Sequence, residues 1–118
     1  MNNDIVTKQM NKIVPEILVL DEAFYIEYGI TRIDLCSRNR TKRFSMLRGL
    51  YITLISKVAP ILTCVEIAKL VNRDHSTVLW YQKQCAGWLK YDKAFKEMHE
   101  RISNKYNQLK KEKENELD

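Results

Sequence analysis

Loop-making residues are scarce in this chain, which has three glycines and two prolines among its 118 positions. Gly29, Gly49 and Gly87 stand far apart, so no Gly-x4-Gly-Lys-Ser/Thr loop exists to cradle a nucleotide. Cysteine is equally sparse. Cys36, Cys64 and Cys85 are too widely spaced for a Cys-x-x-Cys clip, and no His/Cys or carboxylate cluster has metal-ligand spacing. No metal or cofactor is therefore expected, and the three thiols read as reduced, small core residues. No apolar run nears the ~20 residues that span a bilayer. The polar start MNNDIVTKQM lacks the apolar core of a signal peptide. These absences predict a cytoplasmic protein without membrane contact.

What the chain does hold is charge and apolar periodicity. Hydrophobic residues make up 45% and charged residues 30%, with a net charge of +5 and a pI near 9.1. This composition allows one folded domain with a modest core and favours polyanionic partners. The basic excess is clustered. Residues 30–60 carry seven Lys or Arg against one acid, whereas residues 1–29 carry two against five. Arg38, Arg40, Lys42, Arg43 and Arg48 form the centre of that band, a better sign of a phosphate-binding surface than the total charge.

The periodicity predicts an all-α fold. Ile5, Met10, Ile13 and Val14 suggest a weak first helix ended or restarted by Pro15, and a second runs from Glu16 to a stop at Gly29. Thr31 caps a short helix, RIDLC, with Asp34 near the capping-box position. SRNRTKR follows as a polar, basic loop or the first turn of the next helix. That helix extends from about Phe44 to Val58 on one apolar stripe. Thr63 with Glu66 caps CVEIAKLV, NRD makes a turn, and Asp74 or Asn72 caps a helix carrying Val78, Cys85 and Leu89 on one side. From Asp92 a charged helix carries Phe95, Met98, Ile102, Tyr106 and Leu109, with Glu97–Arg101 and Lys93–Glu97 as helical pairs. Its stripe is expected to pack back on the domain, with a dimer seam as the other option, and KKEKENELD is expected to fray.

One short stretch, NRDHSTVL, raises the question of chemistry. Asp74, His75 and Ser76 resemble catalytic parts, but consecutive residues on a helix point about 100° apart and cannot hydrogen-bond in series. His99 reads as a solvated side chain, and an enzyme is not expected. TCVEIAKLV, NRD and HSTVLWYQKQ instead match a helix-turn-helix, whose second helix presents its N-terminal residues to base edges in the major groove. A carboxylate accepts from cytosine N4, and hydroxyls donate or accept. From these residues alone, DHST fits a base-reading tip and a plain N-cap with solvated neighbours equally well.

RDHSTVL resembles the signature of domain IV of the bacterial replication initiator DnaA, Arg-Asp-His-Thr/Ser-Thr-Val-Leu. YGITRIDLCSRNR is similar to that family's helix, short helix and basic loop, and VEIAKLVNRDH to its Pro-Glu-Ile-Gly…Arg-Asp-His. The likeness covers roughly residues 16–90. It implies a Trp-repressor/DnaA domain IV-like helix-turn-helix over residues 1–91, with 1–14 as an extension and 92–118 as a separate charged helix. It further implies that Asp74, His75, Ser76 and Thr77 read bases, that Arg40 enters the minor groove, and that Arg48 and Arg73 contact phosphate. Arg38, Lys42, Arg43 and Lys57 are added as phosphate neighbours on charge. Three departures stand out. The family's glycine before the RDH block is replaced by Val71 and Asn72 with one residue fewer, Gly49 stands where Gln is common, and Ser76 replaces the commoner Thr.

The expected function is sequence-specific binding of double-stranded DNA in replication control or transcriptional regulation. Without a nucleotide loop the chain is not expected to act as a nucleotide-switched initiator, and a phage or mobile element that borrowed the module fits that pattern. The competing expectation is an adaptor that binds a replication protein through its acidic N-terminal helix or its C-terminal helix.

Overall fold

Every element of the computed structural model, which describes residues 14–116, is an α-helix. The predicted helix before Pro15 lies outside these residues, apart from Val14, which is buried. Helix α1 (Glu16–Tyr28) ends where Gly29 adopts φ 65° and its N–H donates to the Tyr25 carbonyl. That left-handed geometry suits a residue without Cβ. Helix α2 (Arg32–Leu35) starts on a complete capping box, with Thr31 and Asp34 satisfying each other's backbone N–H groups. Helix α3 (Lys42–Val58) begins earlier than its apolar stripe suggests. Thr41 caps it by accepting from the Phe44 N–H, so Lys42 and Arg43 form its first turn. Helix α4 (Cys64–Leu70) carries the expected Thr63/Glu66 box, and α5 (His75–Tyr91) follows after a short turn. Asp92 then links α5 to α6 (Lys93–Glu116), accepting from the Phe95 N–H.

Helix α3 runs through the middle of the core. Leu47, Leu50, Tyr51, Ile52, Leu54 and Ile55 are all buried, meeting Ile17, Leu20 and Phe24 of α1 and Val78, Tyr81 and Cys85 of α5 in one cluster. Each such side chain contributes about 1.5–3 kcal/mol by leaving water. A polar anchor at this layer joins three helices. The Tyr51 hydroxyl donates to Asp21 Oδ1 at 2.7 Å, and Arg32 Nε pairs with Asp21 Oδ2 at 3.3 Å. Burial raises the Asp21 pKa, while Arg32 and Tyr51 act in the opposite direction.

Two approaches could not be read from periodicity. Where α3 crosses α5, Gly49 lies so close that an added Cβ would stand 2.7 Å from Cys85 Sγ and 3.0 Å from Tyr81 Cδ1. The glycine that stands where the family commonly has Gln is thus a packing requirement. Helix α6 lies across α1 and α5 and buries Phe95, Ile102, Tyr106 and Leu109 in the shared core. Its stripe is therefore engaged within the chain. Arg101 pairs with Glu27 of α1 and lies over the Tyr28 ring, so the expected Glu97–Arg101 pair is replaced by a contact between helices. The stretch expected to fray is helical as far as Glu116, and within it Lys113 meets Glu22 at 3.3 Å; its last two residues lie outside the described ones. Of the three free thiols only Cys85 is fully buried, while Cys36 and Cys64 are half-buried. No helix among the described residues is long and apolar enough to cross a membrane.

Candidate nucleic-acid interface

Helices α4 and α5 are joined by Val71–Asp74, a turn that contains no glycine. Asn72 takes the left-handed conformation, φ 54°, and the Arg73 N–H donates back to the Ala68 carbonyl at 2.9 Å. Asparagine tolerates that region better than other side chains. The missing glycine therefore leaves the turn intact.

Asp74 is the cap of α5; the alternative cap, Asn72, is occupied by the turn. Its Oδ1 accepts from the Thr77 N–H at 2.9 Å, from Ser76 Oγ at 2.7 Å and from Thr77 Oγ1 at 2.9 Å. These three donors pull the carboxyl pKa down to about 2, the Ser76 hydroxyl being the largest cause. The same bonds argue against a relay, because both hydroxyl protons go to the carboxylate and no imidazole bonds it among the described residues. His75 and Ser76 are exposed, Thr77 is half-buried, and Val78 begins the buried side. The outer face continues beyond the predicted tip. Leu79 and Trp80 are each 50% exposed, and Lys83 is exposed. With Ser76 they occupy i, i+3, i+4 and i+7 of one helix face, the spacing at which groove-reading helices place their side chains. That spacing from Ser76 was visible in the sequence and is the signal that would have found them.

The basic loop between α2 and α3 lies beside this turn. Arg38, Arg40, Lys42 and Arg43 are all exposed. Arg38 and Arg40 line one cleft with Cys36, Asn72 and Arg73, while Arg40 and Lys42 border a second with Ser45, Met46, Trp88 and Asp92. Within the loop, the Asn39 N–H donates to Ser37 Oγ and the Thr41 N–H to Asn39 Oδ1.

The two arginines expected at phosphate have a different setting. Arg48 is only 3% exposed; its Nε donates to the Leu35 carbonyl at 2.8 Å, and its Nη2 to those of Ser37 and Asn39. Arg73 donates from Nη2 to the Ser37 carbonyl at 2.6 Å and from Nη1 to those of Cys36, Val71 and Asn72. Burial, followed by the neighbouring Arg48 charge, lowers the Arg73 pKa. Lys57 stands apart. It lies fifteen residues beyond Lys42 on α3, about 22 Å along the axis at 1.5 Å per residue. Its charge, after burial, lowers the pKa of His99, which is half-buried rather than solvated.

Two helices joined by a tight turn, the second opening on a capped polar tip beside a basic loop, define a helix-turn-helix DNA-binding domain. The family model described as the bacterial dnaA protein helix-turn-helix matches residues 22–84, from the second half of α1 into α5. The match covers more than half of the chain, and the chain belongs to this family. No curated protein and no solved structure gave a significant match.

Proposed function

We propose that this protein binds duplex DNA in a sequence-specific manner and acts in the control of replication or of transcription. In this reading Asp74, His75, Ser76 and Thr77 meet base edges in the major groove, with Leu79 and Trp80 adding apolar surface for thymine methyl groups. Arg40 enters the adjacent minor groove, where a narrow A·T tract attracts guanidinium. Arg38, Lys42 and Arg43 neutralise phosphates at the mouth of the site and Lys57 at a distance from it. The observation that carries the reading is the exposed, capped tip of α5 beside a loop of exposed arginines, in a chain of the DnaA helix-turn-helix family. A nucleoid-associated protein of the cytoplasm is the setting that fits.

Selection of bound duplexes from a random pool at moderate salt tests it. Recovery of one recurring sequence, lost when Arg40 and His75 are replaced by Ala, is expected. Recovery of an unenriched pool would defeat sequence-specific binding.

A second reading is an adaptor that docks a replication protein on α1. It draws support from Leu18, Tyr25 and Ile26, which stay exposed on that helix near exposed Ile33. In that case Tyr25→Ala would abolish capture of the partner while duplex selection returned nothing.

A further inference from the structure

We infer that Arg48 and Arg73 are positioning residues, which clamp the backbone of the basic loop against the α4–α5 turn and thereby set where Arg40 stands relative to the tip of α5. The inference rests on the DNA-binding reading and adds to it how the two reading elements are held in register. The loop has little else to hold it. Residues 37–41 are polar or charged and exposed, so they bury no apolar surface, and Arg38 and Arg40 carry like charge. The loop is bound through its carbonyls. Arg48 reaches up from α3 to Leu35, Ser37 and Asn39, and Arg73 reaches across from the turn to Cys36 and Ser37. The Ser37 carbonyl accepts from both.

This arrangement demands arginine. Its planar fork donates in several fixed directions, so one side chain spans carbonyls two residues apart, whereas a lysine ammonium is a compact point charge. The carbonyls of Leu35 and Cys36 are also the C-terminal end of α2, where a cation is favoured. Two neighbouring guanidinium groups repel, and the Ser37 carbonyl shared between them offsets that repulsion in part. Arg73 is bonded at once to its own turn, through Val71 and Asn72, and to the loop. The turn that aims α5 and the loop that carries Arg40 are therefore fastened by one side chain.

Two measurements test the clamp. The first needs no DNA: amide hydrogen exchange in the free protein. Arg73→Ala, and Arg48→Lys as the variant gentler on a buried site, should speed exchange at Asn39 and Thr41 while the core of α3 stays protected. Unchanged exchange at both amides overturns the clamp.

The second is a double-mutant cycle on the selected duplex, with A·T pairs exchanged for G·C on the Arg40-facing flank. Arg73→Ala should lose flank discrimination as Arg40→Ala does, yet keep discrimination under α5. In an Arg40→Ala background it should change affinity by no more than about twofold and leave the salt slope unaltered. A multiplicative loss, or a slope shallower by about one further counterion, would make Arg73 a direct phosphate contact and overturn the inference. If the unmutated chain binds no duplex, the DNA reading itself falls and the inference with it, a result distinct from additive losses.

Discussion

In the proposed reading Asp74 serves two ends with one carboxylate. Its Oδ1 closes the first turn of α5, while Oδ2 makes no hydrogen bond among the described residues and is left for a base. Because the folded pKa is depressed to about 2, the cap contributes its full stability above the unfolded value of ~3.9 and loses it as pH falls toward 2. The carboxyl resonance of Asp74, followed by NMR, should accordingly titrate near 2. A midpoint at the ordinary aspartate value would mean that the Ser76 and Thr77 bonds do not form in solution. From its sequence Asp74 is both a cap and a candidate base reader; the cap is formed, and it occupies only Oδ1. The sequence could not separate Arg48 and Arg73 from Arg38 and Arg40. Charge and spacing are the same whether a guanidinium waits for phosphate or is already bonded to carbonyls, and only the path of the backbone distinguishes them.

Among the elements, the crossing of α3 and α5 has little room at Gly49. Gly49→Ala would place a methyl 2.7 Å from Cys85 Sγ, and overpacking of this kind costs typically about 1–3 kcal/mol, outweighing the better helix propensity of Ala. A lowered thermal midpoint is expected, with partial recovery in Gly49→Ala/Cys85→Ala, where the sulfur is gone. A Gly49→Ala protein as stable as the original would show that the helices slide apart freely. Element ends were legible where a local residue closes them: Thr31 with Asp34 and Thr63 with Glu66 through side chains, and Gly29 through its backbone, were all visible as caps. The start of α3 was legible only as one of two options, since Thr41 sits inside a charge run that reads as a loop or as the first turn of the next helix.

For the whole molecule, the decisive feature is that α6 closes the core. Phe95, Ile102, Tyr106 and Leu109 together account for about 6–12 kcal/mol of burial, comparable to the entire stability of a small domain. A chain ending at Asp92 should therefore lose its cooperative melt and its α-helical circular dichroism. Retention of both would make α6 an appendage. The apolar stripe of α6 was readable from its spacing, but its partner was not. Its seat on α1, at the other end of the chain, depends on tertiary packing, and the charges facing each other there, Glu22 with Lys113 and Glu27 with Arg101, are 91 and 74 positions apart.

The two hydroxyl protons given to Asp74 have a consequence for the language in which a sequence would be read. With those protons committed, Ser76, Thr77 and the free carboxylate oxygen show only lone pairs to the outside. In the major groove only adenine N6 and cytosine N4 offer protons. In the proposed reading these three groups, unlike the neighbouring His75 with its ring N–H, would act as acceptors that agree with amino-bearing bases and clash with guanine O6 and thymine O4. Duplexes recovered by selection should place adenine or cytosine beneath these side chains, and replacing such an adenine by purine, which lacks the amino group, should weaken binding. A guanine fixed at that place would mean that the hydroxyls had turned away from Asp74.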